Sequence, residues 1–112
     1  MADKYNLGTI QQGISKAVLY DGSITSTGTY ALNDSVYNYK LIIVEHCYGD
    51  GSNKYKLSNV IVDIHNSISS YLICHGNGSY DNSATFHFSN DGNNIVIDAY
   101  VGENITKIVG IN

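Results

Sequence analysis

The sequence predicts an all-β protein, a compact antiparallel β-sandwich of about eight short strands. No window sustains a helical period, and the apolar residues fall in short continuous or alternating runs. Clusters of Gly, Asn, Asp and Ser separate the runs, and those residues make tight turns. The runs recur every 10 to 13 residues or so, a spacing that suits a sandwich or barrel.

The runs can be taken in order. Residues 1–14 are undecided between an extended N-terminal arm and a short helical turn, and the sandwich is expected over 15–112. The first strand is expected at Lys16–Tyr20, closed by Asp21-Gly22-Ser23. The second, Thr27–Leu32, stops at Asn33-Asp34. Tyr39–His46 (YKLIIVEH) is the most apolar run, and the turn-forming GDGSN of 49–53 follows it. Tyr55–Ile64 is broken by Ser58-Asn59, and Ser70–Cys74 is short. The stretch 76–83 (GNGSYDNS) reads as the longest turn-rich loop. Ala84–Ser89 alternates, with Ala84, Phe86 and Phe88 on one face. The NDGNN of 90–94 is a hairpin signal leading into Ile95–Val101, and Ile105–Ile111 closes the chain.

One pattern reaches beyond the single chain. A strand of a monomeric sandwich buries one face and wets the other. Leu41 to Val44 is apolar at every position, and Val60–Val62 and Tyr71–Cys74 are similar. Such strands need cover on both sides, because large exposed apolar patches are uncommon. A homo-oligomer is therefore expected, with the N-terminal arm as the other available cover.

Composition excludes several functions. The chain has 112 residues, room for one domain. It carries ten Tyr, two Phe, no Trp, no Pro and no Arg, with a net charge of −4. Nucleic-acid binders show a basic footprint and rely on Arg for phosphate and guanine, so that class is set aside. No apolar run approaches the roughly 18 residues of a membrane-spanning helix. The opening residues lack the apolar stretch of a secretory signal. Cys47 and Cys74 are accordingly expected to stay reduced.

Residues that might carry chemistry have structural readings. His46-Cys47 and Cys74-His75 supply two Cys and two His, a zinc-like set. Adjacent strand residues point to opposite faces, so neither pair can readily aim at one ion. No metal or cofactor is expected, and both thiols read as buried packing groups. Asp63 and Asp98 interrupt apolar runs, so each is a candidate buried, hydrogen-bonded carboxylate; Glu45 is a third strand acid. No nucleophile elbow or comparable constellation is present, and an enzyme is not expected. Each of the turn-rich loops is poor in carboxylates, which argues against calcium. His87 falls on the polar face of its alternating strand.

What remains is a loop surface rich in Tyr, Asn and Asp. A tyrosine ring gives a sugar a flat face, and planar amides and carboxylates meet its hydroxyls. The candidate ligand-binding residues are Tyr48, Asp50, Asn53, Tyr55, Asn77, Tyr80 and Asp81.

The order VLYDGS at 18–23, TGTYALNDSVYNYKLIIVEH at 27–46 and ITKIVGIN at the C-terminus resembles terminal, receptor-binding-type domains of phage and prophage tail proteins. The matching residues are Leu19, Tyr20, Gly22, Ser23, Leu32, Asn33, Ser35, Asn38, Tyr39, Ile105, Lys107, Ile108 and Gly110. They read as framework, so no binding residue is carried over. The resemblance implies a virion structural protein with a jelly-roll-like sandwich, often trimeric, contacting other virion proteins and sometimes host-surface saccharide. Such domains usually end a longer protein, so an excised domain or a small decoration protein is expected. A free-standing bacterial lectin-like module is the alternative.

Overall fold

The computed structural model describes residues 15–49, 54–65, 69–76 and 81–112. Two four-stranded antiparallel sheets pack face to face. The strands are β1 (Lys16–Ile24), β2 (Gly28–Ala31), β3 (Leu41–Gly49), β4 (Lys54–Val62), β5 (Tyr71–Gly76), β6 (Asp81–Phe88), β7 (Asn94–Val101) and β8 (Glu103–Ile111). The first sheet runs β1-β8-β3-β4 and the second β2-β7-β6-β5. The pairing of β1 with β8 and of β2 with β7 nests the chain ends together, as in a jelly roll. β3–β4 and β5–β6–β7 are plain hairpin neighbours.

All eight expected strands are present, with shifted ends. β1 continues to Ile24 through the Asp-Gly-Ser that reads as a turn, and register shifts after Val18 and Asp21 absorb the irregularity. β6 begins at Asp81, inside the expected loop. The arm expected over 1–14 lies outside the described residues.

The core lies between the sheets. Ile42 and Val44 of β3, Ile105 and Ile108 of β8, and Phe86 and Ile95 of the second sheet are all fully buried. Phe86 stacks on Tyr71 at 5.4 Å between ring centroids and meets Phe88 edge-on at 5.8 Å, favoured arrangements for aromatic pairs.

Two bulges set which side chains reach this core. In β8, Glu45 pairs with Lys107 and His46 with Ile105, so Thr106 is an extra residue. In β7, Thr85 pairs with Ala99 and Phe86 with Ile97, so Asp98 is extra. Each bulge shifts the alternation by one. Asp98 thereby stays outside while Ile97 and Tyr100 both turn inward. Asp63 is exposed as well, its carboxylate accepting from the His65 backbone N–H at 3.0 Å. Neither aspartate is the buried carboxylate expected of it.

The β2–β3 connection is pinned by Asp34. Its carboxylate accepts from the Tyr39 hydroxyl at 2.9 Å, the Ser35 N–H at 2.8 Å and the Asn38 amide at 2.9 Å. These bonds, the one from Tyr39 foremost, hold its pKa below the ordinary carboxylate value. The Tyr39 ring in turn lies over Gly110, where a Cβ would meet ring carbons at 2.5 to 2.7 Å. Gly110→Ala should therefore cost about 1 to 3 kcal/mol, measured by urea unfolding.

The depressed Asp34 pKa also fixes a sign. Its stabilisation is complete above the unfolded value near 3.9 and fades as pH falls through the lower folded value. Wild type should lose thermal midpoint faster than Asp34→Asn below about pH 4. Parallel curves would remove Asp34 from the acid response.

Candidate functional site

The bulge at Thr106 has a second consequence. Uninterrupted alternation back from Ile108 would turn Asn104 and Thr106 inward. The extra residue turns Ile105 and Glu103 inward instead. Glu103 is completely buried. It follows Gly102, where the chain passes from the second sheet to the first with φ of +73°. The positive φ favours glycine there, and a side chain at Gly102 would also push the Asn82 amide aside.

Two strands bring partners to Glu103, and a third supports one of them. His46 of β3 is buried and places Nδ1 at 2.6 Å from Glu103 Oε2. His75 of β5, in the opposite sheet, places its Nδ1 at 2.5 Å from the same oxygen. A carboxylate oxygen only accepts, so both imidazoles direct a ring N–H at it. The two rings lie 4.6 Å apart between centroids. His75 Nε2 is then the acceptor for the Ser58 hydroxyl of β4 at 2.9 Å. Ser58 is the register partner of His46, so both point inward from the first sheet.

The cluster is not fully satisfied. Glu103 Oε1 is buried and has no hydrogen-bond partner among the described residues. The same holds for Nδ2 of Asn82, the register partner of His75 on β6. Tyr100 closes another side: burial first, and the Glu103 charge second, push its hydroxyl pKa up.

The candidate binding residues fall around this cluster or outside the described residues. Tyr48 is half-buried and pairs directly with Glu103 across β3 and β8. The backbone of Tyr55 pairs with Tyr48 across β3 and β4. The Asp81 backbone opens β6, one position before Asn82. Asp50, Asn53, Asn77 and Tyr80 lie outside the described residues. Three of the seven candidates thus stand at the end of the sandwich that holds the histidines.

The reading of the cysteines needs correction. Alternation does turn His46 and Cys47 to opposite faces, and Cys47 is buried. Cys74 is exposed, because β5 turns Tyr71, Ile73 and His75 inward and leaves Leu72 and Cys74 outside. The two do not form a disulfide. The histidines of the two Cys-His pairs converge on Glu103, a partner that sequence spacing did not single out. The available signal is the three-residue step between Ile105 and Ile108, which plain alternation cannot bury on one side.

His87 offers an internal comparison. Its Nδ1 lies 2.7 Å from Asp98 Oδ2, with both side chains about two-fifths exposed. The chemistry matches that of the buried cluster while water competes for every bond. No protein-family model matches the chain, and a search of curated proteins finds no significant relative.

Removing Glu103 strands two imidazoles, His46 buried and His75 partly buried. Glu103→Ala should lose about 3 to 5 kcal/mol, while His87→Ala should lose under about 1 kcal/mol. Chemical denaturation of both variants checks the contrast.

Proposed function

We propose that this chain is a virion structural domain of a phage or prophage, of the tail-fibre or receptor-binding type. It works by binding, without catalysis, as one subunit of a homo-oligomer. Its place is then the virion, in contact with other virion proteins. The resemblance in sequence order motivates the virion reading and makes a trimer the preferred state.

The observation that carries the subunit reading is the outer face of the first sheet. Ile42 and Val44 point into the core, but Leu41 beside them is 41% exposed. Across the sheet Val18 is 41% exposed, Leu57 56% and Ile61 62%. Between them lies a depression whose floor includes Ile43, Val109 and Ile111, with Lys16, Glu45 and Lys107 at its polar positions. Apolar residues gathered on one face, with charges of both signs among them, suit a protein contact. A second copy of the chain is the occupant favoured here, since the surface offers a partner both apolar area and complementary charge.

A second reading is favoured by the end of the sandwich where Tyr48 and the backbones of Tyr55 and Asp81 gather. The Tyr48 ring at this edge offers a saccharide a flat apolar face, whether on a host surface or for a free-standing lectin-like module.

The solution mass by light scattering should equal three chains, and Ile61→Lys should reduce it to one. A wild-type mass of one chain would remove the oligomer. A glycan array separates the saccharide reading. Signal that disappears in Tyr48→Ala supports it, and a blank array leaves contacts between virion proteins.

A further inference from the structure

We propose that His46, His75 and Glu103 form a binding site for one divalent transition-metal ion of the zinc type, tying the two sheets together. Among the described residues, one potential ligand atom from each lies within 4.8 Å of the others. Zinc bonds of about 2.0 to 2.2 Å to nitrogen and oxygen set tetrahedral ligand atoms roughly 3.3 Å apart. Glu103 Oε2, now 2.6 and 2.5 Å from the two Nδ1 atoms, would draw back by under ~1 Å from each to admit the ion.

The donor set selects the metal. Two imidazole nitrogens and one carboxylate suit zinc and its neighbours, whereas calcium and magnesium require mostly oxygen. Three protein ligands leave a fourth position for water.

Three further observations point the same way. Glu103 is completely buried, yet Oε1 has no partner among the described residues. A metal-bound water has hydrogens to give and would supply that partner. Asn82 Nδ2, turned inward beside His75, is a second buried polar group with no partner among the described residues. The third is Ser58. A histidine that binds metal through one nitrogen usually donates its other N–H to a neighbour that fixes the ring. Ser58 Oγ already stands 2.9 Å from His75 Nε2 and can accept as readily as donate.

Binding shifts each neutral ring from its Nδ1–H to its Nε2–H tautomer: the Nδ1 hydrogen passes to water and one is taken back at Nε2, so Nδ1 is freed for the ion with no net proton released. The ion then bridges β3 and β8 in one sheet and β5 in the other, where the histidine–carboxylate contacts now do so. It raises the stability of the folded state by mass action, because the unfolded chain presents no assembled site.

The test uses the full 112-residue protein, stripped with chelator and titrated with zinc chloride by calorimetry. One ion per chain, a dissociation constant of micromolar or below and a raised thermal midpoint are expected, with no response to calcium or magnesium. Nitrogen NMR should show zinc on Nδ1 of both His46 and His75. Glu103→Gln and His75→Gln should abolish the response. Ser58→Ala, which spares the ligands, should weaken binding about 10-fold or more and provides the readout if either ligand variant fails to fold. Absence of binding overturns the proposal. So does binding that survives in Ser58→Ala and Glu103→Gln but disappears in His65→Ala or His87→Ala, which would place the ion on the surface.

Discussion

One extra residue in β8, Thr106, decides what the interior of this sandwich contains at one end. It is buried and hydrogen-bonded through its hydroxyl to the Glu45 carboxylate at 2.7 Å, so the bulge is held in place. On one side of it Ile108 and Gly110 face inward; on the other, Ile105 and Glu103 do. β8 is the strand between β1 and β3, so its register governs three strands at once. Both neighbours conform, since β1 also passes from a Lys107 partner to an Ile105 partner with a register shift.

The result is a core of two kinds. Through most of its length it is aliphatic and aromatic, organised around Phe86, Ile42 and Ile95. At the β7–β8 crossing it becomes polar, with Glu103, His46, His75, Ser58 and Asn82 turned inward. Charge-assisted bonds in such surroundings are strong, and unmatched groups are costly. Among the described residues, one oxygen of Glu103 and the amide nitrogen of Asn82 have no hydrogen-bond partner here. They also lie near the strand ends where Tyr48 and the backbones of Tyr55 and Asp81 are found.

The sandwich could be read from the sequence because its signals are local. Alternation in Ala84–Ser89, the turn cluster at 90–94 and the spacing of the apolar runs each need only a few neighbouring residues. The excess of apolar residues in Leu41–Val44 was equally legible, and of its outer members Leu41 is exposed and Ile43 partly so. The His46–His75–Glu103 cluster was not legible, because it depends on register. His46 and His75 lie in different sheets, and Glu103 joins them only through the bulge. Asp63 and Asp98 show the same limit from the other side. Their apolar neighbours suggest burial, yet the bulge at Asp98 and the end of β4 before Asp63 leave both carboxylates exposed.

The claim that a bulge in β8 delivers Glu103 to histidines from both sheets is tested most directly by NMR of the imidazoles in the metal-free protein. The account predicts His46 and His75 both in the form protonated at Nδ1, with those protons slow to exchange and with nuclear Overhauser contacts between the two rings. Rings protonated at Nε2, exchanging freely with water and showing no contact with each other, would contradict it.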